Sequence, residues 1–117
     1  MLYIKFKDGT RVQYVSAVET EEFYNNASRR TLTFRINPVN VNLQTLSDLC
    51  TEENLSPLEL INEVEGITNI YEGYVLKLAV GSRRQTNPET GEVYEFIELK
   101  LGKRTYIEQR LHELGLD

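Results

Sequence analysis

One cysteine, one histidine, three prolines and no tryptophan stand in a chain of 117 residues. The lone Cys50 excludes an internal disulfide, and no other Cys or His sits around it at metal-ligand spacing. It ends an amphipathic stretch near its apolar face, where the default is a buried structural thiol. A nucleophilic thiol would need a histidine or cationic neighbour, which the sequence does not place. The single histidine, His112, lies on the polar side of a C-terminal helical segment, close to the helix end that favours a cation, and reads as a surface residue. There is no phosphate loop, no Gly-x-Gly-x-x-Gly, no serine nucleophile elbow and no metal signature. No apolar run approaches the ~20 residues of a membrane-spanning helix, and Met1–Lys7 alternates where a signal peptide would carry an apolar core. Basic residues are also short, at 13 Lys+Arg against 18 Asp+Glu, for a formal charge of −5. That balance argues against direct binding of nucleic acid or of an anionic membrane, both of which need a basic face. Acid pairs such as Glu95 and Glu98 are common in so acidic a chain, and nothing sets them up as general acid and base. The sequence therefore assigns no catalytic residue, no cofactor-binding residue and no metal ligand, and it predicts a protein that is not an enzyme.

What is present is a foldable single domain, residues 1–117. Hydrophobic residues make up 40% and charged residues 26%, with seven Tyr and four Phe, which excludes intrinsic disorder. A chain of this size buries roughly 65% of its unfolded surface and needs neither metal nor disulfide to fold. Leu2, Ile4 and Phe6 alternate as a first strand, and Asp8-Gly9 supplies the positive φ angles of a tight turn. Val12, Tyr14, Ser16 and Val18 follow as one second strand. Residues 19–29 are polar and read as irregular, with an acidic cluster at Glu19, Glu21 and Glu22. Leu32, Phe34 and Ile36 alternate as a third strand, which Asn37-Pro38 stops. Asn42 is placed to cap a helix over 43–50, with Val41 and Leu46 as a hydrophobic staple.

The stretch from Ser56 carries two signals. Ser56-Pro57-Leu58-Glu59 is a capping box with proline in the first turn. Glu65-Gly66 between two apolar runs is instead a hairpin, and strands are the reading adopted for 57–64 and 67–71. Tyr74, Leu76, Leu78 and Val80 then form one arm of a long hairpin. Asn87-Pro88-Glu89-Thr90-Gly91 turns it, and Val93, Ile97, Leu99 and Leu101 line one face of the return. Thr105 and Glu108 make a second capping box, Ile107, Leu111 and Leu114 share one helix face, and Gly115 sits where a left-handed C′ residue belongs. The predicted fold class is α+β: a mainly antiparallel β-sheet of about seven strands with a short internal helix and a C-terminal helix. The predicted core is Leu2, Ile4, Phe6, Val12, Leu32, Phe34, Ile36, Leu46, Leu49, Leu76, Leu78, Val80, Ile97, Leu99, Ile107 and Leu111.

Three surface features point outward. Arg29-Arg30 and Arg83-Arg84 are basic pairs in an acidic chain, either solvated charges flanking strands or partners for a neighbouring subunit. The arm from Gly81 to Glu92 is polar, and an isolated two-stranded ribbon is only marginally stable. Tyrosines fall on or beside outward faces, where interfaces are enriched in them. The candidate interface residues are Arg83, Arg84, Tyr94, Tyr106 and Arg110.

Tyr71-Glu72-Gly73-Tyr74, the hairpin arm, Ile97-Glu98-Leu99-Lys100-Leu101 and the run from Lys103 to Leu111 together resemble small proteins encoded in the tail modules of prophages of Gram-positive bacteria. The Asp8-Gly9 turn and the run Tyr24-Asn25-Asn26-Ala27-Ser28-Arg29-Arg30-Thr31-Leu32-Thr33-Phe34 fit the same pattern, so the likeness covers nearly the whole chain. It favours the hairpin reading of 57–71. It implies no defined activity. It implies a tail or baseplate structural component or accessory, acting through contacts with other phage tail proteins and as a homo-oligomer of three- or six-fold symmetry. Such a chain is made in the host cytoplasm and then carried in the virion tail. The compact tip at residues 87–91 departs from the longer insertions expected in relatives. Two other readings compete. Residues 46–78 partly resemble a LysM peptidoglycan-binding module, which requires a helix at 57–64 and lacks its usual Gly-Asp-Thr start. A small acidic phage protein also fits an anti-defence inhibitor that occupies a nucleic-acid channel by charge.

Overall fold

The structure, a computed structural model, describes every residue except Asn25. Eight strands run in chain order as β1 (Leu2–Lys5), β2 (Arg11–Gln13), β3 (Ser16–Tyr24), β4 (Ala27–Ile36), β5 (Leu58–Asn62), β6 (Ile67–Tyr71), β7 (Leu76–Thr86) and β8 (Val93–Gly102). Three helices complete the fold: α1 (Leu43–Leu49), α2 (Glu52–Leu55) and α3 (Tyr106–Glu113). The strands form two antiparallel four-stranded sheets, in the orders β2-β1-β5-β6 and β3-β4-β8-β7. The fold is thus α+β as predicted, with one strand more than the sequence reading, because the expected second strand divides in two.

The division falls at Tyr14–Val15, where the chain leaves the first sheet and enters the second. Tyr14 is buried at this corner, its ring edge-on to Phe34 with centroids 5.4 Å apart. The same division turns the stretch read as irregular into structure. Residues 19–24 continue β3 and pair with β4 through Glu21↔Arg30 and Glu22↔Arg29, so opposite charges face each other across the ladder. Asn25, within that stretch, lies outside the described residues.

Local chemistry explains the element ends. Gly9 alone takes a positive φ, +92°, in the first turn. Asp8 instead caps that turn, its carboxylate accepting from Thr10 N–H at 2.8 Å. Asn42 caps α1 by accepting from Thr45 N–H at 2.7 Å. Thr51 caps the one-turn α2, which the sequence reading missed, by accepting from Asn54 N–H. The chain at Leu58–Asn62 is strand β5, paired with β1 and β6, so the hairpin reading holds and the helical alternative at 57–64 is not formed. On α3 the Thr105–Glu108 capping box is complete. Leu116 N–H reaches Leu111 O at 2.8 Å and Gly115 N–H reaches His112 O at 3.0 Å, which is a Schellman end.

One core lies between the sheets. Ile4, Phe6, Val12, Leu58 and Leu60 come from the first sheet. Leu32, Phe34, Ile36, Ile97, Leu99 and Leu101 come from the second, and Leu46, Cys50 and Leu55 close one side from the helical segment. Tyr74, wholly buried, also belongs to this core; Leu2, Leu49 and Val80 pack on its margin. Four residues placed in the core by the sequence reading are not there. Leu76, at the start of β7, is only half-buried and lies outside the core cluster. Leu78 is 40% exposed because a bulge between Lys77 and Ala79 breaks the alternation of β7 at that point. Ile107 is 64% and Leu111 38% exposed, because α3 docks through its charged side and leaves its apolar stripe largely uncovered.

Elongation is the remaining feature. The molecule measures 51 × 32 × 28 Å, with a radius of gyration of 15.5 Å, against about 13 Å for a compact domain of this length. The excess comes from two ribbons. β4 and β8 pair only over Thr31–Ile36 and Ile97–Gly102. Beyond Ile97, β8 pairs with β7 alone, through Ser82↔Ile97 to Thr86↔Val93. Beyond Thr31, β4 pairs with β3 alone, through Thr20↔Thr31 to Tyr24↔Ala27. The two ribbons leave opposite ends of the same sheet.

Truncating Leu99, which is fully buried, to Ala is expected to cost about 2–5 kcal/mol of unfolding free energy. The same change at Leu111 is expected to cost less than about 1 kcal/mol. Urea denaturation of the two variants checks both; equal losses would mean that Leu111 is packed as deeply as Leu99.

Candidate functional site

The predicted interface residues divide between the two ends of the second sheet. Arg83, Arg84 and Tyr94 lie on the β7–β8 ribbon, the arm; Tyr106 and Arg110 lie on α3, at the other end. All five are exposed. The structure does not bring the two groups together within one chain.

On the arm, the strand register decides the charge pattern. Arg84 lies opposite Glu95, and its Nε donates at 2.8 Å. Arg83 Nε donates to Glu98 at 3.0 Å, and its Nη1 donates to Ser82 O at 3.3 Å. The Arg84 pair is directly opposed and the Arg83 pair diagonal, since Arg83 itself faces Phe96; both are solvated, each worth at most ~1 kcal/mol. At the base of the arm, Arg35 lies over the Phe96 ring, 4.5 Å from its centroid, and Tyr94 sits beside that ring at 6.4 Å. Val15, Arg35, Asn37, Tyr94, Glu95 and Phe96 line a groove there of about 400 Å³. Arg35 and Phe96 were not picked out from sequence. The signal was present, since Tyr94 and Phe96 recur at a spacing of two on an edge-facing stretch.

At the opposite end, α3 is clamped to the outer face of the β3–β4 ribbon by charge. The Arg29 guanidinium holds the Glu108 carboxylate at 2.9 and 3.1 Å and donates to Lys103 O at 2.9 Å. Its hydrogen bond from Arg29, with the capping bond from Thr105 N–H, holds the Glu108 carboxyl below its ordinary value. A second clamp centres on Glu52 of α2, which accepts from Arg104 at 2.7 Å and lies 3.6 Å from His112 Nε2. His112 Nδ1 lies 2.7 Å from the Asp117 carboxylate, and that contact first of all lowers the Asp117 pKa. With its charged side anchored, α3 turns Tyr106, Ile107, Leu114 and Leu116 to solvent. Phe23, 79% exposed on β3, lines with Ile107, Ala27 and Glu22 a groove of about 470 Å³ between ribbon and helix. Of the two basic pairs read as candidate partners for a neighbouring subunit, Arg29, Arg83 and Arg84 all hold acids of their own chain.

The end of the core beneath this ribbon is closed by Tyr74. Its hydroxyl donates to the Glu19 carboxylate, Lys103 Nζ lies 5.1 Å from its ring centroid, and Tyr71 packs edge-on at 6.0 Å. Burial first, and then the hydrogen bond to Glu19, push the phenol pKa well up, so it stays a neutral donor. Glu19 thereby ties the edge of one sheet to the turn before β7.

The groups available for chemistry are sparse. Among the described residues no cluster of three or more His, Cys, Asp or Glu is arranged to hold a metal, and no helix is long and apolar enough to cross a membrane. Cys50 is buried, and burial pushes its thiol up to about 11, which keeps it protonated and unreactive near neutral pH. What the arrangement offers is surface: an arm with an aromatic groove at its base, and a helix with an uncovered apolar stripe beside a second ribbon. Compared with family models, with curated proteins and with solved structures, the chain finds no match.

Two outcomes follow from these pKa shifts. Because the folded pKa of Glu108 is depressed, its stabilisation is present above the unfolded value of 4.5 and is lost as pH falls through the lower folded value. Hydrogen exchange of the α3 amides is therefore expected to accelerate relative to the core as pH drops below 4.5. Glu108→Gln should shrink that step, leaving the part due to Asp117; an unchanged step would exclude the clamp. Cys50 is expected to resist thiol reagents at pH 8 in the native state and to react at once in denaturant, and rapid native labelling would contradict its burial.

Proposed function

We propose that this chain is a structural component of a phage tail or baseplate, or an accessory to one. It acts through protein–protein contacts, as a homo-oligomer of three- or six-fold symmetry that also contacts other tail proteins. The observation that carries this reading is the shape of the second sheet, whose two ribbons project from opposite ends of one small core. A monomer with no partner gains nothing from exposing backbone edges, aromatic side chains and an apolar helix stripe at both ends, since such features favour association. The resemblance of the tail-module motifs supports the same reading. The LysM alternative needs a helix where β5 stands and is not carried forward.

The test is mass spectrometry of gradient-purified particles after prophage induction. Peptides of this chain are expected at stoichiometric level, in multiples of three or six relative to a single-copy tail protein. Recovery only in the soluble fraction would overturn the structural reading and favour the anti-defence inhibitor.

A further inference from the structure

The second sheet ends in two edges of opposite charge. β3 carries Glu19, Glu21 and Glu22 and no cation, while β7, at the far edge, carries Lys77, Arg83 and Arg84 and no acid. We infer that copies of this chain join head to tail through these edges, the Gly81–Thr86 segment of β7 in one copy pairing with the Glu19–Tyr24 segment of β3 in the next. The inference rests on the homo-oligomeric part of the proposed function and names its interface.

Three observations carry it. First, each segment is an edge with unpaired backbone groups. β4 takes one side of β3 and β8 takes one side of β7, and the other side of each ends the sheet. Long edges left open invite another strand. Second, strand directions fit. All pairings in the order β3-β4-β8-β7 are antiparallel, so β3 and β7 themselves run in opposite senses. Because the two segments lie at opposite ends of the sheet, the next copy is displaced along the strands as well as turned about them; β7 then meets β3 antiparallel, and the alternation continues across the junction. Such a heterologous contact repeats head to tail, as a ring where the rotation closes and as an open array where it does not, whereas a self-paired edge stops at two copies. Third, the charges have spare capacity. Arg84 engages Glu95 through Nε alone, leaving both terminal nitrogens of its guanidinium, which has five donors. Glu21 makes no ion pair among the described residues. Glu22 already accepts from Lys100 at 2.6 Å, so it is Glu21 of a neighbour that would extend the Arg84–Glu95 pair of the arm into a Glu–Arg–Glu ladder.

The two edges of the first sheet do not offer this. β2 is only three residues long, and β6, Ile-Thr-Asn-Ile-Tyr, has no charge with which to select a partner. The β3 segment also borders the groove of Phe23 and Ile107, so an arm docked there covers apolar surface that α3 leaves open.

Charge reversal tests the pairing on the purified full-length chain by native mass spectrometry and sedimentation at low salt. Wild type is expected to associate, and to dissociate as salt rises. E21K/E22K and R83E/R84E should each weaken association at least tenfold. The variant carrying all four changes should recover it, as should an equal mixture of the two double variants, in which alternating copies meet opposite charges at every junction of an open array or of an even-numbered ring. Circular dichroism checks that each variant is folded; if a reversal unfolds the chain, E21Q/E22Q and R83Q/R84Q replace it, and each should weaken association. A monomeric wild type, association that survives both reversals, or loss on Ile70→Lys with no effect of reversal would overturn the inference, the last by moving the contact to β6. Head-to-tail association by a chain absent from particles would leave this inference standing and refute the tail assignment. A chain present in particles but indifferent to reversal would do the opposite.

Discussion

The register between β4 and β8 is the constraint on which the rest of the molecule depends. Each strand has ten residues, yet they pair only from Thr31↔Gly102 to Ile36↔Ile97. Within that overlap Leu32, Phe34 and Ile36 face the core beside Ile97, Leu99 and Leu101, all at most 2% exposed. A slip of one residue would send this whole set to the other face and bring Thr31, Thr33 and Arg35 inward. Gly102 limits slippage further. A Cβ there would lie 2.7 Å from Leu78 Cδ1 and 3.0 Å from Arg29 Cδ, so only glycine fits without displacing the side chain that anchors α3. The staggered overlap leaves one overhang at each end, and from those overhangs come both ribbons, the elongation and the exposed edges.

Different forces hold the two levels of structure. The core is apolar burial between sheets, contributing ~25 cal/mol for each Å² removed from water. α3 and the ribbons are held by Arg29–Glu108, Arg104–Glu52, Lys100–Glu22 and the arm pairs. Most of these are solvent-exposed, so each contributes no more than ~1 kcal/mol and is screened by salt. The periphery is therefore far softer than the centre. Local opening of the arm or of α3 needs only a fraction of the global unfolding energy.

How far the sequence revealed this depends on how local each signal is. The α3 caps were legible because Thr105, Glu108 and Gly115 act within one turn of their own helix. The β8 alternation was legible because Ile97, Leu99 and Leu101 are buried on one face. β3 was not, since Glu21 and Glu22 occupy an overhang with no core to impose an apolar period, while Glu19, opposite Leu32 at its root, is held by the buried Tyr74. Its signature was electrostatic and non-local: Glu21-Glu22 mirrors Arg29-Arg30 about the turn, as a cross-strand ladder demands. The burial assigned to Ile107 and Leu111 failed for a related reason. An apolar stripe at helical spacing shows that a surface wants covering, and it does not say whether the same chain supplies the cover. In this fold, Arg29 and Glu52 reach the charged side of α3 first. The same limit applies to Arg83 and Arg84, whose sequence shows a basic pair while the register alone shows that Glu98 and Glu95 already stand beside them.

This division between a sealed centre and an open periphery bears on how the molecule acts. An isolated two-stranded ribbon is marginal in water, and the ladder pairs on the arm add little to it. A ribbon of this kind becomes firmly ordered when a further strand supplies backbone hydrogen bonds on its open side, or when a groove excludes water from its side chains. The ordering entropy is then lost on association rather than on folding, which lowers affinity per unit area and makes the contact reversible until several are made at once. Soft ribbons on a rigid core thus suit a subunit that folds alone and becomes rigid only in company, and the opposite charges of the two open edges give that company a direction.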